Sequence, residues 1–189
     1  MKYRRSRAGF TLAELIVVLS VMSILAVFAV PAGLDWWRRE TVVTLADQVV
    51  SSITLAQTLS RNQRIWVQIG PRDTNQDWSS GWAVYITAKP QTQITPFKPS
   101  GGDLLITVSQ PVSSSIKITF DGSRREVKTL SYSPVGYSRY KTSQFYGTLT
   151  IASGAHIRRV KIDSTGRARV CNPDKDKTCT GSAADNDEP

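Results

Sequence analysis

Hydrophobic and polar positions divide the chain into three stretches. Residues 10–30, FTLAELIVVLSVMSILAVFAV, are apolar almost throughout, with Glu14 the single charge and neither glycine nor proline present. As a helix rising about 1.5 Å per residue, these 21 residues reach roughly 31 Å, enough to cross a bilayer core. From Leu34 to about Arg64 the period changes. Val42, Leu45, Ala46, Val49, Ile53, Ala56 and Leu59 recur at steps of three and four, which predicts one buried stripe on an amphipathic helix. From Ile65 onward the runs are short and β-rich: Ile65–Ile69, Trp82–Ile86, Leu104–Val108, Ile116–Phe120, Val127–Tyr132, Gly147–Ala152, Ile157–Ile162 and Ala168–Cys171. Turn-forming segments such as Pro71-Arg72-Asp73, Ser100-Gly101-Gly102-Asp103 and Asp121-Gly122 separate them. Many short strands after one long helix predict an α+β fold: a long N-terminal helix, transmembrane in its first half, packed by its second half on an antiparallel β-sheet.

The charges around the first run give it a direction. MKYRRSRAG precedes it, so the positive-inside rule keeps the N-terminus cytoplasmic and places the rest of the chain outside the inner membrane. An ordinary secretory signal has a shorter apolar stretch, about 7–15 residues, with small residues on its far side; here Ala8-Gly9 lie before the run. Trp36 and Trp37, just past the run, suit an interfacial aromatic belt. Glu14 is the anomaly. A carboxylate in a membrane helix costs about 2.5–3.5 kcal/mol on insertion scales, so it requires a partner.

The string Arg7-Ala8-Gly9-Phe10-Thr11-Leu12-Ala13-Glu14-Leu15 resembles the class III signal of type IV prepilins and type II secretion pseudopilins. That resemblance implies cleavage after Gly9 by a prepilin peptidase, methylation of the new N-terminus at Phe10, and pairing of Glu14 with the N-terminal amine of a neighbouring subunit during assembly. Pro31 also matches the family's helix-kinking proline. The implied organisation is a leader at 1–9, a transmembrane and assembly helix at 10–34, its amphipathic half at 35–64, a globular domain at 65–181 and a small, acidic, disordered tail at 182–189. Within the pilins the chain looks like the FimT/GspH group of minor subunits. The matching residues are Gly81-Trp82-Ala83-Val84, Tyr132-Ser133-Pro134-Val135-Gly136 and Val160–Arg169. The resemblance is weak between about 87 and 125.

Composition adds two points. The formal net charge is +9; removal of Lys2, Arg4, Arg5 and Arg7 with the leader leaves 20 basic against 15 acidic residues, near +5. That permits an anionic partner and is equally met by a soluble basic surface. The two cysteines, Cys171 and Cys179, form no CxxC or Cys/His cluster, so no metal site is expected. In an oxidising compartment they suit a local disulfide; in a reducing one they would be two free thiols.

Asp163-Ser164-Thr165-Gly166 suits a type I turn closed by a left-handed glycine, a three-residue hairpin loop. That register sets Asp163 against Arg167, Lys161 against Arg169 and Arg159 against Cys171. Val160, Ile162, Ala168 and Val170 then share one face, and Arg159, Lys161, Arg167 and Arg169 the other. Lys161 opposite Arg169 is a like-charge pair, which Asp163 relieves in part. Arg167 and Arg169 are spaced by about 6.6 Å along a strand, close to two nucleotide steps. The residues alone allow two readings: a face that binds DNA phosphates without reading sequence, or a solvated outer face whose charges prevent edge aggregation. Gly166-Arg167-Ala168-Arg169 matches the GRxR motif of FimT-type pilins, which implies DNA binding for uptake in natural transformation, with Arg158 as a further contact. No aromatic residue interleaves the cations in sequence, so base stacking is not indicated there.

His156 stands alone and cannot build a histidine-dependent triad or a multi-histidine metal site, and no glycine-rich phosphate loop precedes a helix. No enzymatic activity and no cofactor are expected. The expected partners are DNA, other pilins in a filament, the prepilin peptidase and, before assembly, the inner membrane; the expected path runs through the periplasm to a cell-surface pilus, at or near its tip. The alternative is a GspH-like pseudopilin with a structural role in type II secretion.

Overall fold

In a computed structural model of the chain, residues 11–73, 75–87, 97, 102–141 and 143–179 are described. The proposed cleavage and methylation positions, Gly9 and Phe10, and the acidic tail lie outside them. A single helix, α1, spans Leu12–Gln63 and runs through Pro31 without interruption. The chain divides into two units, one ending at Trp37 and a compact one beginning at Arg38.

In the first unit α1 is long and apolar enough to cross a membrane, with a mean hydropathy of 2.7 in its most apolar window and large apolar side chains exposed from Leu12 to Trp37. Its start is a capping box. Thr11 Oγ1 accepts from the Glu14 backbone N–H at 3.2 Å, and a Glu14 carboxylate oxygen lies 3.5 Å from the Thr11 N–H and 3.4 Å from its hydroxyl. Glu14 therefore satisfies helix donors within its own chain, a role the Thr11-x-x-Glu14 spacing signals.

In the second unit the predicted stripe is buried: Val42, Ala46, Val49, Ile53 and Ala56, with Leu45 and Leu59 packed beside them. They join one apolar cluster with residues of two antiparallel sheets, where one sheet was predicted. The strands are β1 Val67–Pro71, β2 Trp82–Ile86, β3 Leu104–Val108, β4 Lys117–Gly122, β5 Leu130–Tyr132, β6 Arg139–Tyr140, β7 Ser143–Gln144, β8 Gly147–Ser153, β9 His156–Ile162 and β10 Ala168–Cys171. Their orders are β3-β2-β1-β5 and β10-β9-β8-β4, with β6 and β7 forming a small ribbon. All eight predicted strands occur; among the described residues the pattern missed the two-residue β6 and β7.

Trp78, on a 3₁₀ turn between β1 and β2, joins the two sheets. Its ring lies 6.4 Å from that of Trp82 in the first sheet and 6.0 Å from that of Phe120 in the second. Its Nε1 donates to the Lys128 carbonyl at 2.9 Å. Trp82 in turn donates to Ser52 Oγ on α1 at 3.0 Å.

Candidate nucleic-acid interface

The hairpin of β9 and β10 forms in the predicted register. Ala168 pairs with Ile162, Arg169 with Lys161, Val170 with Val160 and Cys171 with Arg159. The Gly166 N–H donates to the Asp163 carbonyl at 3.0 Å, Gly166 has φ +85°, and the Asp163 N–H donates to the Arg167 carbonyl at 3.0 Å. The Asp163 carboxylate is spent inside the turn, accepting from the Arg167 N–H at 2.9 Å and from Thr165 Oγ1 at 2.6 Å.

The tip is fastened to the body at two points, by Gln57 and by Tyr132. Gln57 Nε2, on the last turns of α1, donates to the carbonyls of Gly136 and Thr165 at 2.9 and 3.1 Å. The Tyr132 hydroxyl donates to the Gly166 carbonyl at 3.1 Å. Burial, and secondarily the Asp163 carboxylate, pushes the Tyr132 phenol far above its ordinary value, so it stays a neutral donor at any physiological pH. The Tyr132–Gly136 segment and the Gly166 turn, remote in sequence, thus meet at one place.

The cationic face is not the open surface that alternation alone suggests. Cys171 and Cys179 are disulfide-bonded, and the loop they close lies over β9 and β10. Lys161, only 9% exposed, donates from Nζ to the Thr178 carbonyl at 2.9 Å. Arg159 Nη1 donates to the Cys179 carbonyl at 2.7 Å. Arg169 Nη2 donates to Thr178 Oγ1 at 3.1 Å, and Nη1 stands 3.8 Å from the Asp176 carboxylate. Hydrogen bonds from Thr178, with smaller help from Arg169 and Lys161, hold the Asp176 carboxyl below its ordinary value. Its contribution is present above the normal carboxylate range and is lost as pH falls through the depressed value. The loop supplies the counter-dipoles for a like-charge pair. β9 is also an interior strand, hydrogen-bonded to β8 as well as β10, and this is why Lys161 is enclosed.

Two expectations change accordingly. Lys161 and Arg159 are held by the loop, which leaves the exposed Arg167 and the 56%-exposed side chain of Arg169 as the accessible pair. Strand alternation turns Arg158 to the side of Val160 and Ile162, away from that pair; it is half-buried, and its Nη1 donates to the Ile157 carbonyl at 2.8 Å. The sequence also hid an aromatic neighbour. Tyr146 immediately precedes β8, and β8 lies against β9 with Thr148 opposite Lys161. Tyr146, Thr148, Lys161, Arg167 and Arg169 line one cleft of about 430 Å³.

Residues 4–30 match the prokaryotic N-terminal methylation motif, and residues 45–166 match the family described as type II transport protein GspH. The chain belongs to the GspH/FimT-like family of minor type IV pilins. It is similar to two fimbrial proteins of Pseudomonas aeruginosa, each 28% identical over 116 residues that cover 60% of this chain and 75% of the relative. Its fold matches the crystal structure of the P. aeruginosa PAO1 type IV minor pilin FimU with a TM-score of 0.53 at 15% identity, covering 72% of this chain and 92% of that one.

The bonded cysteines carry a prediction. Closing a loop with a sequence separation of 8 contributes about 2–3 kcal/mol on the chain-entropy model. Replacing both cysteines by serine should lower the thermal midpoint by roughly 5–10 °C, read by circular dichroism. The wild-type protein should take up no alkylating reagent until it is reduced.

Proposed function

We propose that this minor pilin binds extracellular DNA through the backbone phosphates, with Arg167 and Arg169 as the principal contacts, for uptake in natural transformation. The observation that carries this reading is an accessible arginine pair, Arg167 and Arg169, just past a turn anchored at two points by Gln57 and Tyr132. Filament building alone gives no reason for so rigid a cationic tip. Guanidinium groups carried on an anchored backbone can meet phosphate with charge-assisted hydrogen bonds, and phosphate contacts select no base. The protein supplies no catalysis; it is a substrate of the prepilin peptidase and, with Glu14 opposite a neighbour's N-terminus, a subunit among other pilins. It passes from the inner membrane through the periplasm to a surface pilus.

A GspH-like structural role in type II secretion is the second reading. It is favoured by the loop that already satisfies Arg159 and Lys161.

Fluorescence anisotropy of the full-length protein in non-ionic detergent, with duplexes of unrelated sequence at several salt concentrations, separates the two. The double variant Arg167→Gln, Arg169→Gln should lose about 30-fold in affinity near physiological salt, and its log–log salt slope should be shallower by about 1.8. Unchanged affinity in the double variant would leave the structural role.

A further inference from the structure

The cleft beside the arginine pair is more than a cationic surface. Its volume, about 430 Å³, falls in the range of small-molecule sites, roughly 300–1,000 Å³. One wall is the half-buried Tyr146. Alternation from Thr148 puts Tyr146 on the same face of the sheet as Lys161. The floor carries Thr148, 4% exposed, whose Oγ1 has no hydrogen-bond partner among the described residues. A buried hydroxyl of this kind is ordinarily satisfied, so its lack of a protein partner inside a cleft calls for a polar ligand atom. The remaining walls include Lys161, Arg167, Arg169 and Ser164. An aromatic wall, an unmatched hydroxyl and the two accessible arginines form a chemically mixed site, apolar and stacking on one side, phosphate-binding on the other.

We propose that this cleft receives one unpaired nucleotide of a DNA strand, its base against the Tyr146 ring and its phosphate between Thr148 and the two arginines. The inference rests on the DNA-binding reading above and adds a preference to it. In a blunt duplex the interior bases are stacked on both faces and every base, terminal ones included, is held by its Watson–Crick pair, so no single base is free to enter. A single-stranded tail offers a free face, and any base can stack on an aromatic ring whatever its sequence.

The probes are a blunt duplex, the same duplex with an unpaired 3′ tail, and that tail with its bases replaced by abasic sites. Anisotropy with the full-length protein in non-ionic detergent should show the tailed duplex binding about tenfold more tightly than the blunt one, the order of gain one stacked base provides. The abasic tail should lose that gain although it keeps every phosphate. Tyr146→Ala should abolish the gain, while Tyr146→Phe should retain it. Equal binding of blunt, tailed and abasic probes would overturn the cleft proposal and leave the arginine contacts standing. Failure of every probe to bind would overturn the DNA reading itself. The abasic comparison needs no variant, so a folding defect in Tyr146→Ala does not blur the answer.

Discussion

Trp78→Ala should destabilise the globular unit by about 4–5 kcal/mol and lower its thermal midpoint by roughly 10–15 °C, measured by calorimetry or circular dichroism. Three losses combine. A fully enclosed indole, 1% exposed, leaves a cavity the size of its ring. The Lys128 carbonyl loses its 2.9 Å donor. The aromatic contacts to Trp82 at 6.4 Å and Phe120 at 6.0 Å disappear, and with them the link between the two sheets. Trp78→Phe separates the terms, since it keeps most of the apolar volume and removes the N–H; it should cost about 1–3 kcal/mol. A change below about 1 kcal/mol for the alanine variant would show that the two sheets cohere without this ring.

Gly166→Ala should cost about 3 kcal/mol and also weaken DNA binding, although it alters no cation. Two reasons act at one residue. The backbone has φ +85°, which for alanine carries a penalty of about 1–2 kcal/mol. A Cβ there would lie 2.6 Å from the Tyr132 ring, 3.0 Å from Gln57 Nε2 and 3.1 Å from the Gly136 carbonyl, the groups that anchor the tip. Gly154→Ala is the internal control. Gly154 also has a positive φ, +59°, but a Cβ there meets nothing within 4 Å. It should therefore show only the backbone penalty and leave DNA affinity unchanged. If the two variants cost the same, the anchoring contacts do not resist displacement, and the turn is looser than its hydrogen bonds indicate.

These variants fall at places where the sequence was informative to different degrees. The hairpin register was legible because it is local. The turn residues Asp163-Ser164-Thr165-Gly166 and the alternation of Val160, Ile162, Ala168 and Val170 specify one pairing, and a slip of one residue would put the apolar set outside. The helical stripe from Val42 to Ala56 was legible for the same reason, since its period is carried by consecutive turns. Trp78 was not singled out, because it lies on a short turn with no period to mark which way its ring points. The second sheet was not anticipated either: alternation shows that a strand has a buried face, but not which of two sheets it joins.

The sequence by itself determined the membrane-length helix, its amphipathic continuation, the strands and the facing of Arg167 and Arg169, because each follows from neighbours within a few residues. The tertiary structure alone decided which cations remain accessible. It drew the Cys171–Cys179 loop over Lys161 and Arg159 and brought Tyr146 and Thr148 beside the arginine pair across β8. Those outcomes depend on contacts between segments that are distant along the chain, where charge and periodicity show that a face exists but not what packs against it.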